Sequence, residues 1–296
     1  MRNLVIVPAG DGSLHMEYAS DRDFDLWILY WGSNDDVRQR YSGAADRVIS
    51  LKGHKWELLR QAAALLMAER RRWEGGYVLY VDDDIRFPHG AADISAFFSA
   101  VRDLDADTAQ PAIANENVSW PIGRALDGAF CHATNAVESM MPAYSSAIFF
   151  EVVLPGLYAL PHIRMGWHFE FFVQRYAEFR FQRPLRTFVV DAVPVLHMRP
   201  PGSGTAPHEL GANESFLLPG LAPMPVVTLA VFADRKSGRD FGFPMSLIDG
   251  AGMEQRLAAL GWARRAAAMR IDAINPAAFV LSAAKRLFNA IFPRSR

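Results

Sequence analysis

Asp82, Asp83 and Asp84 stand side by side at the end of an apolar run, Tyr77-Val78-Leu79-Tyr80-Val81. Three adjacent carboxylates are costly there, because each like charge raises its neighbours' proton affinity and resists leaving water. A bound cation removes that cost; a solvated acidic turn is the alternative. In open α/β sheets, ligands gather outside the carboxyl ends of the strands, which is where this run delivers its acids. Period-two alternation puts Asp82 and Asp84 on one side and Asp83 on the other, so the first and third can share a ligand. Hard oxygen donors favour Mg2+ or Mn2+, and those ions favour substrate phosphates. A second group lies late in the chain, where Asp191-Ala192-Val193-Pro194-Val195-Leu196-His197 ends a β-rich run on an imidazole. That ring can join the early carboxylates around one cation if both strands end at the same sheet edge.

The elements that must position these groups follow from the hydrophobic pattern. Short β-rich runs alternate with helical stretches through the first half, which predicts an α/β sheet with parallel strands. Strands are expected at residues 4–7, 24–31, 46–51, 77–81, 109–114, 138–142 and 187–195. Trp56, Leu59, Ala63, Leu66 and Met67 recur at helical spacing and predict a long helix closed by Gly75-Gly76. A further helix is expected over 167–179. Residues 199–225 contain six prolines and little periodicity, and read as a loop or lid over the same sheet edge; 226–232 reads as a late strand or a segment packed on the body. The expected division is a catalytic domain over 1–198, a loop-rich lid and packing segment over 199–252 and a basic tail over 253–296.

The composition of the 296-residue chain, 51% hydrophobic and 21% charged, excludes a disordered, collagenous or coiled-coil protein. Cys131 is the single cysteine, so no disulfide or cysteine zinc site forms within one chain, which favours a reducing compartment. The net charge of −1 argues against nucleic acid as a partner but hides an asymmetry. Residues 253–296 carry eight Lys and Arg against Glu254 and Asp272, a net +6, leaving −7 on the rest. Asn275-Pro276 starts a predicted helix in which Ser282, Lys285, Arg286 and Asn289 form a polar stripe against Phe279, Leu287, Phe288 and Ile291. Such a helix lies in an anionic membrane interface or docks on the body or a second subunit. The N-terminal apolar run is too short for a signal peptide, and no run is long enough to span a bilayer. The expectation is a cytoplasmic protein, peripheral at the inner face of the membrane through its tail.

The ordered set RNLVIVPAG, GHKW, VDDDI, QPAI, VESMMPAYS, MGWHFEFF and VVDAVPVLHMRP covers about residues 2–200. It resembles the GT-A fold of nucleotide-sugar-dependent glycosyltransferases, and more closely the GT-A-like family labelled lysine-ketoglutarate-reductase trans-splicing related. The resemblance implies a Rossmann-like, mixed but mainly parallel sheet flanked by helices, followed here by an amphipathic helical tail. It also implies a nucleoside diphosphate sugar donor, a Mn2+ or Mg2+ ion held by Asp82, Asp84 and His197, and a glycan or lipid-linked acceptor. Donor contacts then fall to Asp82, Asp83, the first-strand loop (Pro8, Ala9, Gly10, Asp11) and Lys52 and Lys55. Glu170 takes the place of the acidic residue after a Gly-containing turn, the general base of inverting transfer, although Gly166-Trp167-His168-Phe169-Glu170 departs from the usual Trp-Gly-Leu-Asp form. Glu138 is a second acidic candidate, and Trp120 and Trp167 are candidate stacking platforms. The rival readings are a metal-dependent nucleotidyltransferase or phosphoesterase, and a non-catalytic nucleotide-sugar binder at a membrane.

Overall fold

The computed structural model describes residues 1–166, 168–200 and 226–244. Most of the expected lid, Trp167 and the basic tail helix lie outside them. The strands are β1 (Leu4–Ala9), β2 (Asp25–Tyr30), β3 (Arg47–Ser50), β4 (Tyr77–Tyr80), β5 (Ile85–Arg86), β6 (Thr108–Ile113), β7 (Cys131–Thr134), β8 (Ala143–Ser145), β9 (Thr187–His197) and β10 (Thr228–Phe232). They lie in the order β10-β7-β9-β6-β8-β4-β1-β2-β3, with β5 off the path against β9. β1 is parallel to β2 and β4, β2 to β3, and β6 to β9. β8 runs antiparallel to β4 and β6, and β7 to β9 and β10. The sheet is therefore mixed, with most strands running one way and β5, β7 and β8 reversed among the described residues.

Helices cover both faces: α1 (Asp35–Ala44), α2 (Lys55–Glu69), α3 (Ala91–Asp103), α4 (Ser146–Ile148), which continues through a π-helical turn (Phe149–Val153) into α5 (Leu154–Ala159), then α6 (Phe169–Phe181) and α7 (Arg235–Asp240). Leu4, Ile6, Trp27, Leu29 and Val78 pack with Leu59 of α2, Leu157 of α5 and Phe172 of α6. Val5, Val7, Leu26, Ile28 and Leu79 pack on the other face with Ile94, Phe98 and Val101 of α3. Burial on both faces is why these strands read as continuous apolar runs rather than alternating ones. Trp56, Leu59, Ala63, Leu66 and Met67, predicted as the inner face of the long helix, are all buried.

Three expected boundaries are corrected. β1 does not stop at Pro8 but carries Pro8 and Ala9 inside the sheet, opposite Leu29 and Tyr30 of β2. β4 pairs with β1 only as far as Ile6, so Pro8, two residues on, faces no ladder partner on that side and its missing N–H costs nothing. Residues 138–142 form no strand. Pro142 withholds a donor, and the 138–140 stretch gives its backbone groups to Gln110, Lys55 and Asp82 instead; the strand is β8, just beyond. The helix expected over 167–179 is α6, which starts at Phe169 and runs to Phe181. After the segment at 201–225, β10 pairs with β7 and extends the sheet.

Candidate active site

The chain turns at Asp82-Asp83-Asp84 and re-forms as β5, whose Ile85 lies opposite His197 of β9. The Met198 N–H donates to the Asp84 carbonyl at 3.0 Å, closing that register. Pairing of β5 with β9 is what brings an early carboxylate to a late imidazole: Asp84 Oδ2 is 3.5 Å from His197 Nε2. The ring is buried, and its Nδ1 lies 2.8 Å from the Asn117 carbonyl. A carbonyl only accepts, so Nδ1 carries a proton and Nε2 is the atom turned to Asp84. Asn115 and Asn117 donate through their amides to the His197 carbonyl at 2.8 and 2.7 Å, and the His197 N–H donates to Asn115 Oδ1 at 3.2 Å. Burial would lower the His197 pKa, but Asp84 and the Asn117 carbonyl raise it above its ordinary value. Burial would raise Asp84, yet His197 and Arg199, at 4.0 Å, hold it below the usual carboxylate range. Asn115 and Asn117 were missed by sequence reasoning; the signal was a polar Asn-Glu-Asn run directly after a strand.

The other two acids face elsewhere. Asp82 Oδ1 meets the Lys55 ammonium at 2.8 Å, and the same ammonium donates to the carbonyls of Ser139 and Met140 at 2.5 and 2.6 Å. Burial pushes the Asp82 carboxyl up to about 6 against the pull of Lys55, with Asp84 and Asp83 adding to the rise. Asp83 Oδ2 accepts from the Gly10 N–H at 2.9 Å, and its carbonyl accepts from the Leu14 N–H at 2.9 Å. Of the expected set, the structure brings Asp84 to His197 and gives Asp82 to Lys55, and among the described residues no three His, Cys, Asp or Glu side chains are grouped as a metal site. The acids sit on a turn, where strand alternation no longer governs direction, and Lys55 claims Asp82.

Of the expected donor loop, Pro8 and Ala9 are buried strand residues and only Gly10 and Asp11 lie beyond the strand. The Asp11 carboxylate accepts from Tyr30 Oη and, at 3.4 Å, from the Asn34 N–H. Lys52 and Lys55 diverge: Lys52 donates to the carbonyls of Trp31 and Gly32, both at 2.6 Å.

Glu170 lies in the first turn of α6 and is buried. Its Oε1 accepts from the His168 N–H at 3.2 Å and its Oε2 has no partner among the described residues. Burial first, and the charge of Glu138 in addition, push its pKa up to about 8. Glu138 is also buried; its Oε1 accepts from the Trp120 N–H at 3.0 Å, its Oε2 has no partner, and burial pushes its pKa up to about 7. Trp120 stacks on Phe171, the residue after Glu170, with ring centroids 5.9 Å apart. Gly166 sets the approach to Glu170. Its φ is +89°, and an added Cβ would come within 1.9 Å of Trp56 Nε1, so only glycine lets this turn lie on the indole.

The chemistry of the donor set fits a divalent ion with two protein ligands. Mg2+-like ions keep waters and take one or two protein groups plus substrate phosphates. Asp84 and His197 supply one hard oxygen and one imidazole with its second nitrogen already oriented.

No protein-family model and no curated protein matches the chain. Among solved structures, TarS 1-349 from S. aureus matches at 14% identity and a TM-score of 0.36, over 51% of this chain and 49% of that one. The chain thus spans about half the length of that protein. Glucosyl-3-phosphoglycerate synthase from Mycobacterium tuberculosis, in complex with Mn2+, uridine diphosphate and glucosyl-3-phosphoglycerate, matches at 16% identity and 0.33, over 53% and 64%. A mycobacterial protein matches at 16% identity and 0.40, over 72% and 71%. At these values the likeness assigns neither activity nor ligand to this chain.

Proposed function

We propose that the protein is a GT-A-type, metal-dependent glycosyltransferase that moves a sugar from a nucleoside diphosphate donor to an acceptor hydroxyl. The observation that carries this reading is the meeting of Asp84 and His197 at the carboxyl edge of the sheet, beside the Gly10 loop and the Lys55 ammonium. Asp84 and His197 would hold Mn2+ or Mg2+, which when bound supplies charge stabilisation to a departing diphosphate. Lys55 holds Asp82 in place and keeps part of the acidic turn neutralised. Gly10 and Asp11 border the donor side.

In the transfer, the bond from the anomeric carbon to the diphosphate oxygen breaks and the bond to the acceptor oxygen forms. The acceptor proton passes to Glu170 Oε2, the oxygen with no other partner, and the diphosphate leaves with the bonding pair. A general base on the acceptor hydroxyl is what inverting transfer requires. The basic segment 253–296 supports an anionic membrane surface as partner and a membrane-associated acceptor.

The test is thermal stabilisation and hydrolysis across a panel of nucleotide sugars, with and without Mn2+, on the wild type and on Asp84→Ala and His197→Ala. Metal-dependent stabilisation by one donor, with nucleoside diphosphate released and both effects lost in the variants, is the expected result. Release of pyrophosphate or a monophosphate instead indicates nucleotidyl transfer or phosphoester hydrolysis. Binding without turnover by the wild type indicates a non-catalytic binder.

A further inference from the structure

Gln110 lies on β6, fully buried in a strand whose neighbours are apolar or small. Its Oε1 accepts from the Glu138 N–H at 2.5 Å, which identifies the other atom as the amide nitrogen, and that Nε2 has no partner. Glu138 Oε2 and Glu170 Oε2 are likewise buried without partners among the described residues. A buried polar atom left unpaired costs about 1–3 kcal/mol, so a group of them in one region needs a cause. These belong together. Gly123 packs over the first two groups so closely that a Cβ there would come within 2.6 Å of Glu138 Oε1 and 3.2 Å of Gln110 Nε2. The Trp120 N–H holds Glu138, and its half-buried ring, stacked on Phe171, leads to Glu170.

We infer that Gln110, Glu138 and Glu170 form the floor, and Trp120 the wall, of an acceptor subsite that takes an uncharged, hydroxyl-bearing saccharide. The unsatisfied groups are an amide N–H donor and two carboxyl oxygens, each of which donates when protonated and accepts when ionised. An ammonium group would serve the two carboxyls but leave the Gln110 N–H without an acceptor. A phosphate or carboxylate supplies acceptors alone and would leave the acceptor capacity of both carboxyl oxygens unmet. A sugar hydroxyl both donates and accepts, and a pyranose carries several at once along an apolar face that suits an indole. Gly123 is then the residue whose lack of a side chain lets the backbone lie directly against Glu138 and Gln110.

This inference rests on the transferase reading only for the word acceptor, because saccharide binding is measured without donor or metal. The probes are methyl glycosides of glucose, galactose, mannose and N-acetylglucosamine at millimolar concentration, followed by saturation-transfer NMR on the full chain. At least one is expected to bind the wild type, and Glu138→Ala and Trp120→Ala are each expected to weaken it roughly tenfold or more. Trp120 is half-buried, so its variant reports even if loss of Glu138 prevents folding; melting temperatures check both. If no glycoside binds, or if one binds with unchanged affinity to Trp120→Ala and to a folded Glu138→Ala, the inference is overturned. Donor hydrolysis by the same wild-type sample separates the two claims. Hydrolysis without saccharide binding removes the subsite alone, and saccharide binding without hydrolysis of any donor removes the transferase reading.

Discussion

Asp25 opens β2 with its carboxylate met by Arg2, by Arg72 at 2.6 and 2.9 Å, and by the Trp73 indole N–H at 2.8 Å. Glu170, beside the carboxyl edge where α2 begins, is buried as well, yet keeps one oxygen without a partner. Both carboxyls are withdrawn from water, but only the first is supplied with cations and donors. The difference separates two uses of a buried acid. A fully met carboxylate ties the strand to the segment that packs on it, whereas an unmet one holds its proton and has an oxygen left for another molecule.

The comparison breaks most sharply on catalysis. Glu170→Gln keeps the shape and is expected to slow transfer roughly 10²- to 10⁴-fold, whereas Asp25→Ala should leave the rate per folded molecule unchanged. In the wild type the rate should climb with pH towards a plateau above about 8, because a base must lose its proton before it can accept one. A profile flat between pH 6 and 9, measured with donor saturating, removes Glu170 from that role.

Stability should show the reverse order. Asp25→Ala leaves a buried indole N–H and two guanidinium groups without their acceptor, and is expected to cost about 3 kcal/mol in urea unfolding. A loss under about 0.5 kcal/mol would mean that the cluster contributes no more than a surface ion pair. Gly166→Ala comes next. It forces a side chain into a left-handed position against Trp56, with an expected cost of about 1–3 kcal/mol and a matching drop in turnover as the Glu170 turn shifts.

The smallest effect has the most informative sign. The unfolded chain ionises Glu170 near the ordinary glutamate value, about 4.3, and the folded chain only near 8. Between those values the folded state binds the extra proton, so stability falls as pH rises and levels off above the folded value. Glu170→Gln should therefore raise the melting temperature at pH 8 and give no gain at pH 4. A melting temperature lowered equally at both pH values would mark Glu170 as a structural group.

How far the sequence foretold all this varies with the range of the interaction. The buried strands and α2 were legible, because apolar runs and helical spacing are local and burial on both faces enforces them. The acidic turn was placed correctly at a strand end for the same reason. Its partners were not legible. Lys55 meets Asp82 from the first turn of a helix lying between other strands, and only the pairing of β5 with β9 shows that Asp84, not Asp82, faces His197. Gln110 gave a local signal, a lone amide in a buried strand, but its meaning depends on Glu138 crossing over it. Residues 138–142 were misread because a short apolar pair, Met140-Met141, suggests a strand whether or not the backbone joins a ladder.

Asp83 supplies a last consequence. Its side chain holds the Gly10 N–H and its carbonyl the Leu14 N–H, so the middle letter of the triplet fastens the first loop of the chain to the turn after β4. A pattern written with a wildcard between two aspartates treats that letter as free, and here it carries information of a different kind from its neighbours. They specify what the turn can meet, while Asp83 specifies where the turn is. A search that scores the middle position would distinguish chains that merely contain two acids from chains that hold them against the opening loop.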